Sequence, residues 1–545
     1  MAPPRSKAVA RVYRLARGLD QPTGKEDVVR RRRNALTGGA RWRTIGAMPD
    51  FGLADATLAR FVLERGIAAI YLVAFVVAYR QFPALSGEQG LEPAPRFLAV
   101  VPRFLDAPTV FRWIGYSDAK LRGISVVGAI VALTLLVGLP QSPALPVDAG
   151  LALTMLAWLA VWALYQSIVN VGGTFYGFGW ETLLLEAGFL AIFLGSAAIA
   201  PALPVILAFR WLAFRVEFGA GLIKLRGDAC WRALTCMEFH HETQPMPNPL
   251  SWFFHGLPRP LHRVETVGNF VAQLVLPFGL FLPQPIATIA ATLMILTQAY
   301  LVVSGNYAWL NWLTMIALFA AVSDNAIDGA LAWIGLGPLQ VPGAPAAGAA
   351  FAATPPWFVA TVVILTVVIV VLSYQPVRNL LSPHQAMNAS FDPFHLVNTY
   401  GAFGSVSRVR DEIVIEGSDA SSLGDATWRE YDFKGKPGDI RHMPRQFAPY
   451  HLRLDWLMWF LPLSPRYGQT WFIPFLVKLL EDDAPTLRLL RRNPFPDGPP
   501  RLVRALLYRY RFTSRRERRE TGAWWSRELI GEFVGPIALR EDGRP

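Results

Sequence analysis

Cysteine is almost missing from this chain: Cys230 and Cys236 are the only two in 545 residues. Five residues lie between them, which is not the redox C-x-x-C spacing, and no second pair is there to complete a zinc site. Charge is scarce too. Asp, Glu, Lys and Arg make up 17% of the chain, against about 25% in soluble domains. There is no P-loop, no GxGxxG after a strand and no GxSxG elbow, so the sequence signatures of nucleotide binding and of α/β-hydrolase catalysis are absent. No internal repeat is evident.

What fills the chain instead is apolar. Hydrophobic residues reach 53%, mean hydropathy is +0.31, and the apolar residues come in blocks of the roughly 20 residues that cross a bilayer. Nine stretches stand out: 61–79, 124–139, 149–169, 179–194, 204–217, 267–282, 286–303, 309–322 and 357–374. The expected fold is a polytopic α-helical membrane bundle of about eight or nine spans, covering 48–382, followed by a C-terminal mixed α/β extramembrane domain over 383–545. In that domain, alternation at 412–416 and 428–433 predicts strands, and helical periodicity marks 452–461 and 471–480. The Pro/Gly run at 494–500 predicts a rigid turn.

The net charge is +12, gathered in the N-terminal tail and the C-terminal region. Membrane-surface attraction and topology signalling explain it better than nucleic acid. Residues 1–47 read as a basic disordered tail containing Arg30, Arg31, Arg32 and Arg33. No apolar h-region follows directly, so it is not a cleavable signal peptide, and Met48 is an alternative start. Arginine in excess of lysine, with abundant alanine, suggests a GC-rich bacterial genome. The tail argues for a cytoplasmic N-terminus, although Arg96, Arg103, Arg112, Lys120 and Arg122 in the first loop pull the other way. Nine spans then put the cysteine-bearing loop and the C-terminal domain outside the cytosol, at a bacterial inner membrane.

Specialised residues crowd into the connector at about 225–264. Cys230 and Cys236 form a local disulfide on an oxidising face or pack as reduced thiols. His240 and His241 diverge by about 100 degrees on a helix and cannot readily share one metal. No recognised ligand spacing surrounds them, so no metal is expected; with Glu238, Glu242, His255 and His262 they read as a hydrogen-bonded cluster. Trp231, Gln244, Pro247 and Asn248 complete a loop that either meets a client or braces the fold. Within the spans, Glu181 and Glu186 are about 140 degrees apart on a helix. Glu186 lies deep enough to need a cation or a proton. Arg210, Arg215, Glu217 and Lys224 on the next apolar helix offer an ion-pair network that fixes register; the other reading is proton handling or substrate binding.

The motifs YGFGWETLLLEAGFLAIFL (176–194), FRWLAFRVEFGAGLIKLRGDACWRALTCMEFHHETQPMPNPLSW (209–252), NTYGAFGSVSR (398–408), EIVIEGS (412–418), WREYDFKGKPGD (428–439), LDWLMWF (454–460) and NPFPDGPPR (493–501) resemble the lipase maturation factor family, in order, over most of the chain from about residue 61. His241 stands where animal members typically carry tyrosine. The resemblance implies a membrane protein, in animals of the endoplasmic reticulum, that assists folding or assembly of secreted lipases. Here it implies an exported client protein, lipases among the candidates, with no cofactor and a maturation role in place of an enzymatic one; the reading of the residues adds transient shielding of apolar client surface at an aromatic, arginine-rich face, with thiol exchange at Cys230 and Cys236 as a further element. A shorter likeness, AGLIKL (220–225), is similar to the membrane domain of vitamin K-dependent γ-carboxylase and its bacterial relatives. It implies an alternative: an integral membrane enzyme with Lys224 as base, Glu186 or Glu181 beside it, and a quinol-like lipid. A transporter ranks third, because so large a soluble domain is foreign to a minimal carrier.

Overall fold

The computed structural model describes residues 51–142, 144–345 and 349–539; the tail at 1–47 lies outside them. Helix α1 (Thr57–Ser86) has 30 residues, about 45 Å at 1.5 Å per residue, and runs through the middle of the bundle. Helix α2 (Asp118–Val137) starts at Ser117, whose side chain accepts from the Lys120 amide, and stops at Gly138 in the left-handed conformation (φ 81°). A hydroxyl N-cap and a glycine C-cap thus bound an apolar run whose interior offers no other stop signal. Helix α3 (Val147–Val171) follows. Its outward Leu153, Leu156 and Leu159, like Val126, Val127 and Ile130 on α2, are exposed. Rows of uncovered aliphatic side chains on long helices are the surface lipid would cover.

Among the described residues five helices are long and apolar enough to cross a membrane, and a sixth span arises if Leu310–Ala321 and Asp324–Trp333, bent by 102°, count as one. The expected eight or nine are not reached, for local reasons. Helix α4 (Gly179–Ala191) has 13 residues, about 20 Å, short of the roughly 30 Å hydrocarbon core. Helix α5 (Leu203–Arg226) is long enough but carries Arg210, Arg215, Glu217, Lys224 and Arg226. The stretch at 267–282 divides among the end of α7 (Arg259–Phe270), a π turn at Val271–Val275 and the short helix Leu276–Gly279, which has Pro277 at its start. Connector helix α6 (Met237–Thr243) precedes α7. After it come α8 (Ile286–Ser304), α9 (Leu310–Leu318) and α10 (Pro356–Leu372).

Beyond the bundle, β1 (Ala389–Ser390) and β2 (Asn398–Thr399) make a small antiparallel pair. A four-stranded antiparallel sheet has the order β4-β3-β5-β6, with β3 Arg410–Ser418, β4 Arg429–Glu430, β5 Leu502–Phe512 and β6 Trp525–Ile537. Ile413 and Ile415 of β3, opposite Leu507 and Ala505, are fully buried. On either side of them charged positions pair across the strands, Arg504 with Glu416 at 2.7 Å and Arg509 with Asp411 at 3.0 Å. The predicted helices appear as α11 (Arg453–Phe460) and α12 (Phe472–Leu480), and 412–416 lies within β3. Of 428–433 only two residues are strand. The described residues of the bundle and of the C-terminal region fall in one compact unit.

Candidate functional site

Three buried carboxylates organise the region around the connector. Glu181, in the first turn of α4, meets Arg453 Nη1 at 2.8 Å and accepts from the Tyr165 hydroxyl at 2.5 Å. Arg453 opens α11 in the C-terminal domain, so this ion pair joins the domain to the bundle. Its guanidinium also donates to the Phe175 carbonyl at 2.8 Å and lies over the Tyr176 ring. Glu186 pairs with Arg215 of α5, as the register-fixing reading expects. It also accepts from the Asn398 amide and side chain, both at 3.0 Å, and from the Tyr400 hydroxyl at 2.7 Å. A carboxylate with that many donors is engaged on both oxygens. Among the described residues Glu217 has no arginine partner. It accepts from the side-chain amides of Gln273 at 3.2 Å and Gln298 at 2.7 Å.

Two expected members fall elsewhere. Arg210 is not in the network: it donates to the carbonyls of Ala320 and Leu280, at 2.9 and 3.1 Å. Lys224 Nζ donates to Asn269 Oδ1 at 2.9 Å and Gln273 Oε1 at 2.8 Å, and sits over the Trp231 ring. Among the described residues neither Glu181 nor Glu186 is bonded to it, so the base-plus-carboxylate arrangement of the carboxylase-like alternative is not assembled.

The connector is a seam. Cys230 and Cys236 are joined in a disulfide with Cα atoms 4.9 Å apart, and both are buried, at 4% and 0% exposure. Thiol exchange would require an attacking thiolate to reach one of these buried sulfurs. The bridge closes a small loop beside Trp231, whose indole donates to the Phe403 carbonyl at 2.8 Å. His240 Nε2 lies 2.9 Å from the Tyr307 hydroxyl, which donates to Gln244 Oε1 at 2.6 Å. Gln244 in turn donates to the Ser304 carbonyl at 2.9 Å. Asn248 Oδ1 caps the amides of Leu250 and Ser251, and its Nδ2 reaches Gln446 Oε1 at 3.0 Å. Pro247 is buried, and its carbonyl accepts from Asn306.

The C-terminal domain clamps this loop from the other side. Arg410 of β3 donates to the carbonyls of Glu242 (2.9 Å), Gln244 and Pro245 (3.1 Å) and pairs with Glu412 at 2.6 Å. The Phe512 amide donates to Glu242 at 2.7 Å, and the Trp459 indole to the Thr243 carbonyl at 3.1 Å. Asn306 bridges the Arg445 carbonyl and the amides of Phe447 and Ala448. Much of the loop is buried, and Gln244, Asn248 and the carbonyls from Glu242 to Pro245 find their partners within the protein. His240 and His241 do diverge, His241 turning instead toward Glu265 and His262, three side chains whose ligand atoms lie within 4.8 Å of one another. The sequence reading missed Arg410, Arg453, Asn306 and Glu265; Asn398 and Tyr400 lay inside one of its motifs.

Two expected results follow from this seam. Replacing both cysteines with serine removes a six-residue-separated crosslink and should lower stability by about 2 kcal/mol, read as a lower unfolding midpoint in detergent; an unchanged midpoint would show the bridge to be idle. The second concerns His451. Burial, then the neighbouring Arg453 charge, push its imidazole down to about 4. The ring is held among Phe178, Trp180, Trp309 and Trp456, with Glu181 at 3.7 Å. A depressed histidine contributes stability that is complete above its unfolded value of about 6.5 and is lost as pH falls toward 4, to a limit of about 3 kcal/mol. Asp455, which burial raises to about 6, opposes this by favouring the fold on acidification. The difference between His451→Phe and the parent isolates the histidine: the variant should gain relative stability between pH 7 and 4.5. Parallel pH profiles would contradict it.

Comparison with known proteins gives two domain matches. Residues 58–329 match the profile described as lipase maturation factor transmembrane domain, and 396–535 the lipase maturation factor C-terminal domain. The chain is 43% identical over 504 residues to lipase maturation factor 1 of Homo sapiens, covering 89% of this chain and 88% of that protein. With the Bos taurus protein of the same name it shares 41% over 517 residues, 89% and 90% of the two chains. Homo sapiens lipase maturation factor 2 is 28% identical over 613 residues, 89% and 84% of the two. No solved structure matches. None of these names points to a carboxylase.

Proposed function

Because this chain belongs to the lipase maturation factor family, an integral membrane family named for maturation and not for catalysis, we propose that it assists folding or assembly of exported proteins, lipases among them. The observation that carries the mechanism is the free edge of the C-terminal sheet. Strand β6 has 13 residues and pairs on one side only, with β5. Among the described residues no strand covers its other side. Leu529 and Ile530 on it are 54% and 44% exposed. Its pairing with β5 is regular from Trp525 to Leu529 and shifts register beyond, so the uncovered run at 525–529 is the template for an extended chain, whose backbone would extend the ladder while its apolar side chains rest on Leu529 and Ile530. The occupant is therefore an extended segment of an incompletely folded client, and the buried connector holds the sheet rigidly on the bundle.

The sheet and connector lie on the extracytoplasmic side, in a bacterium the periplasmic side of the inner membrane, with the N-terminus in the cytoplasm. The disulfide supports this orientation, since such bonds persist in oxidising compartments. Depleting the chain in its host should reduce the activity of exported lipases more than their transcript. Unchanged lipase activity would remove the lipase client. An enzyme fused after residue 539 that is active only in the periplasm would support the orientation, and cytosolic activity would overturn it.

A further inference from the structure

We infer that His241, His262 and Glu265 form a binding site for a divalent transition metal of the zinc class, which staples α6 to α7 beneath the connector. The reading of these residues as a hydrogen-bonded cluster alone leaves their chemistry unused. His262 and Glu265 are three apart on α7 and so share a face; His241 comes from α6. Their ligand atoms all lie within 4.8 Å of one another. His241 Nε2 is 3.4 Å from one Glu265 oxygen and His262 Nδ1 is 2.7 Å from the other. Ligand atoms at 2.0–2.1 Å around a tetrahedral ion are about 3.3 Å apart, so sub-ångström shifts bring the three onto one ion.

The donor set selects the ion. Two imidazoles and a carboxylate suit zinc and its transition-series neighbours, whereas calcium and magnesium favour all-oxygen shells. Three protein ligands leave a fourth position for water. The carboxylate is aimed by a further group: the Tyr300 hydroxyl of α8 donates to Glu265, the outer-shell support that ligands of bound metals receive. An independent sign is the His241 ring. It is 1% exposed, and among the described residues its Nδ1 has no hydrogen-bond partner while its Nε2 faces a Glu265 oxygen at 3.4 Å; an ion replacing that contact would take the Nε2 lone pair and leave Nδ1–H as the outer donor. Glu265, 13% exposed, is the least buried of the three and gives an ion its way in.

The test uses the full chain in detergent, purified on a tag without histidine, stripped with EDTA and titrated with Co2+. Expected is one equivalent per chain with the visible d–d bands of a four-coordinate ion, displaced by Zn2+. His241→Gln and Glu265→Gln should each weaken uptake at least about tenfold, and Tyr300→Phe, which keeps all three ligands, about tenfold or more. Should a ligand variant fail to fold, zinc-edge X-ray absorption of the loaded parent decides, with two imidazoles in the first shell expected. Absence of stoichiometric uptake by the parent, equal affinity in a folded His241→Gln, or a first shell without two imidazoles would overturn the site.

Discussion

Arg453→Met is expected to destabilise the folded chain by about 3–5 kcal/mol, because it leaves the Glu181 carboxylate buried and without its cation. Both side chains are fully buried and 2.8 Å apart, and the remaining neighbours cannot replace the charge: His451 is held neutral and Tyr165 supplies one hydroxyl. Pairing the change with Glu181→Gln should recover much of the loss, since a well-packed neutral pair avoids the stranded charge. Thermal unfolding in detergent of the parent, the two single variants and the double variant measures the coupling. Additive losses would mean that the ion pair does not join α4 to α11.

Arg410→Met should have the second largest effect, about 3 kcal/mol or more, and a localised one. Arg410 donates to three connector carbonyls, those of Glu242, Gln244 and Pro245, and it also pairs with Glu412. Without it those carbonyls lose buried donors, at a cost of about 1–3 kcal/mol for each group left unsatisfied, and Glu412 keeps only Lys436 at 3.0 Å. The loss falls on the seam. Limited proteolysis should therefore open 225–264 while the apolar helices stay protected. Uniform cleavage across the chain, or none, would contradict a clamp at this position.

The residues that were legible in the sequence are those whose constraints are local. Composition and block length gave the membrane bundle, and α11 and α12 announce themselves by periodicity. Glu186 is unaffordable alone in an apolar helix, so a cation on a neighbouring helix was required, and Arg215 is that cation. What escaped is non-local. Arg453 lies 272 positions beyond Glu181 in number, and nothing in its own surroundings distinguishes it from other arginines of the C-terminal region. Strand β5, LVRALLYRYRF, breaks simple alternation because two of its three arginines, Arg504 and Arg509, pair across the sheet with Glu416 and Asp411. The difference in the number of spans has the same origin: apolar content marks α4 and α5 as membrane-like, whereas α4 is short and α5 carries five charged side chains. The connector's density of Cys, His and Asn was visible, but burial decides between client contact and bracing, and burial is a property of the assembled fold.

The account rests on the free edge of β6 as the place where a client is held. The direct measurement is the yield of active exported lipase from host cells in which the chain is replaced by the Leu529→Asp, Ile530→Asp variant. Both positions are exposed, so the variant should keep its unfolding midpoint and its membrane insertion. Client capture should weaken by about tenfold or more, equivalent to about 1.4 kcal/mol, and active lipase should fall with it. A stable, correctly inserted variant that still delivers the full yield of active lipase would contradict the account.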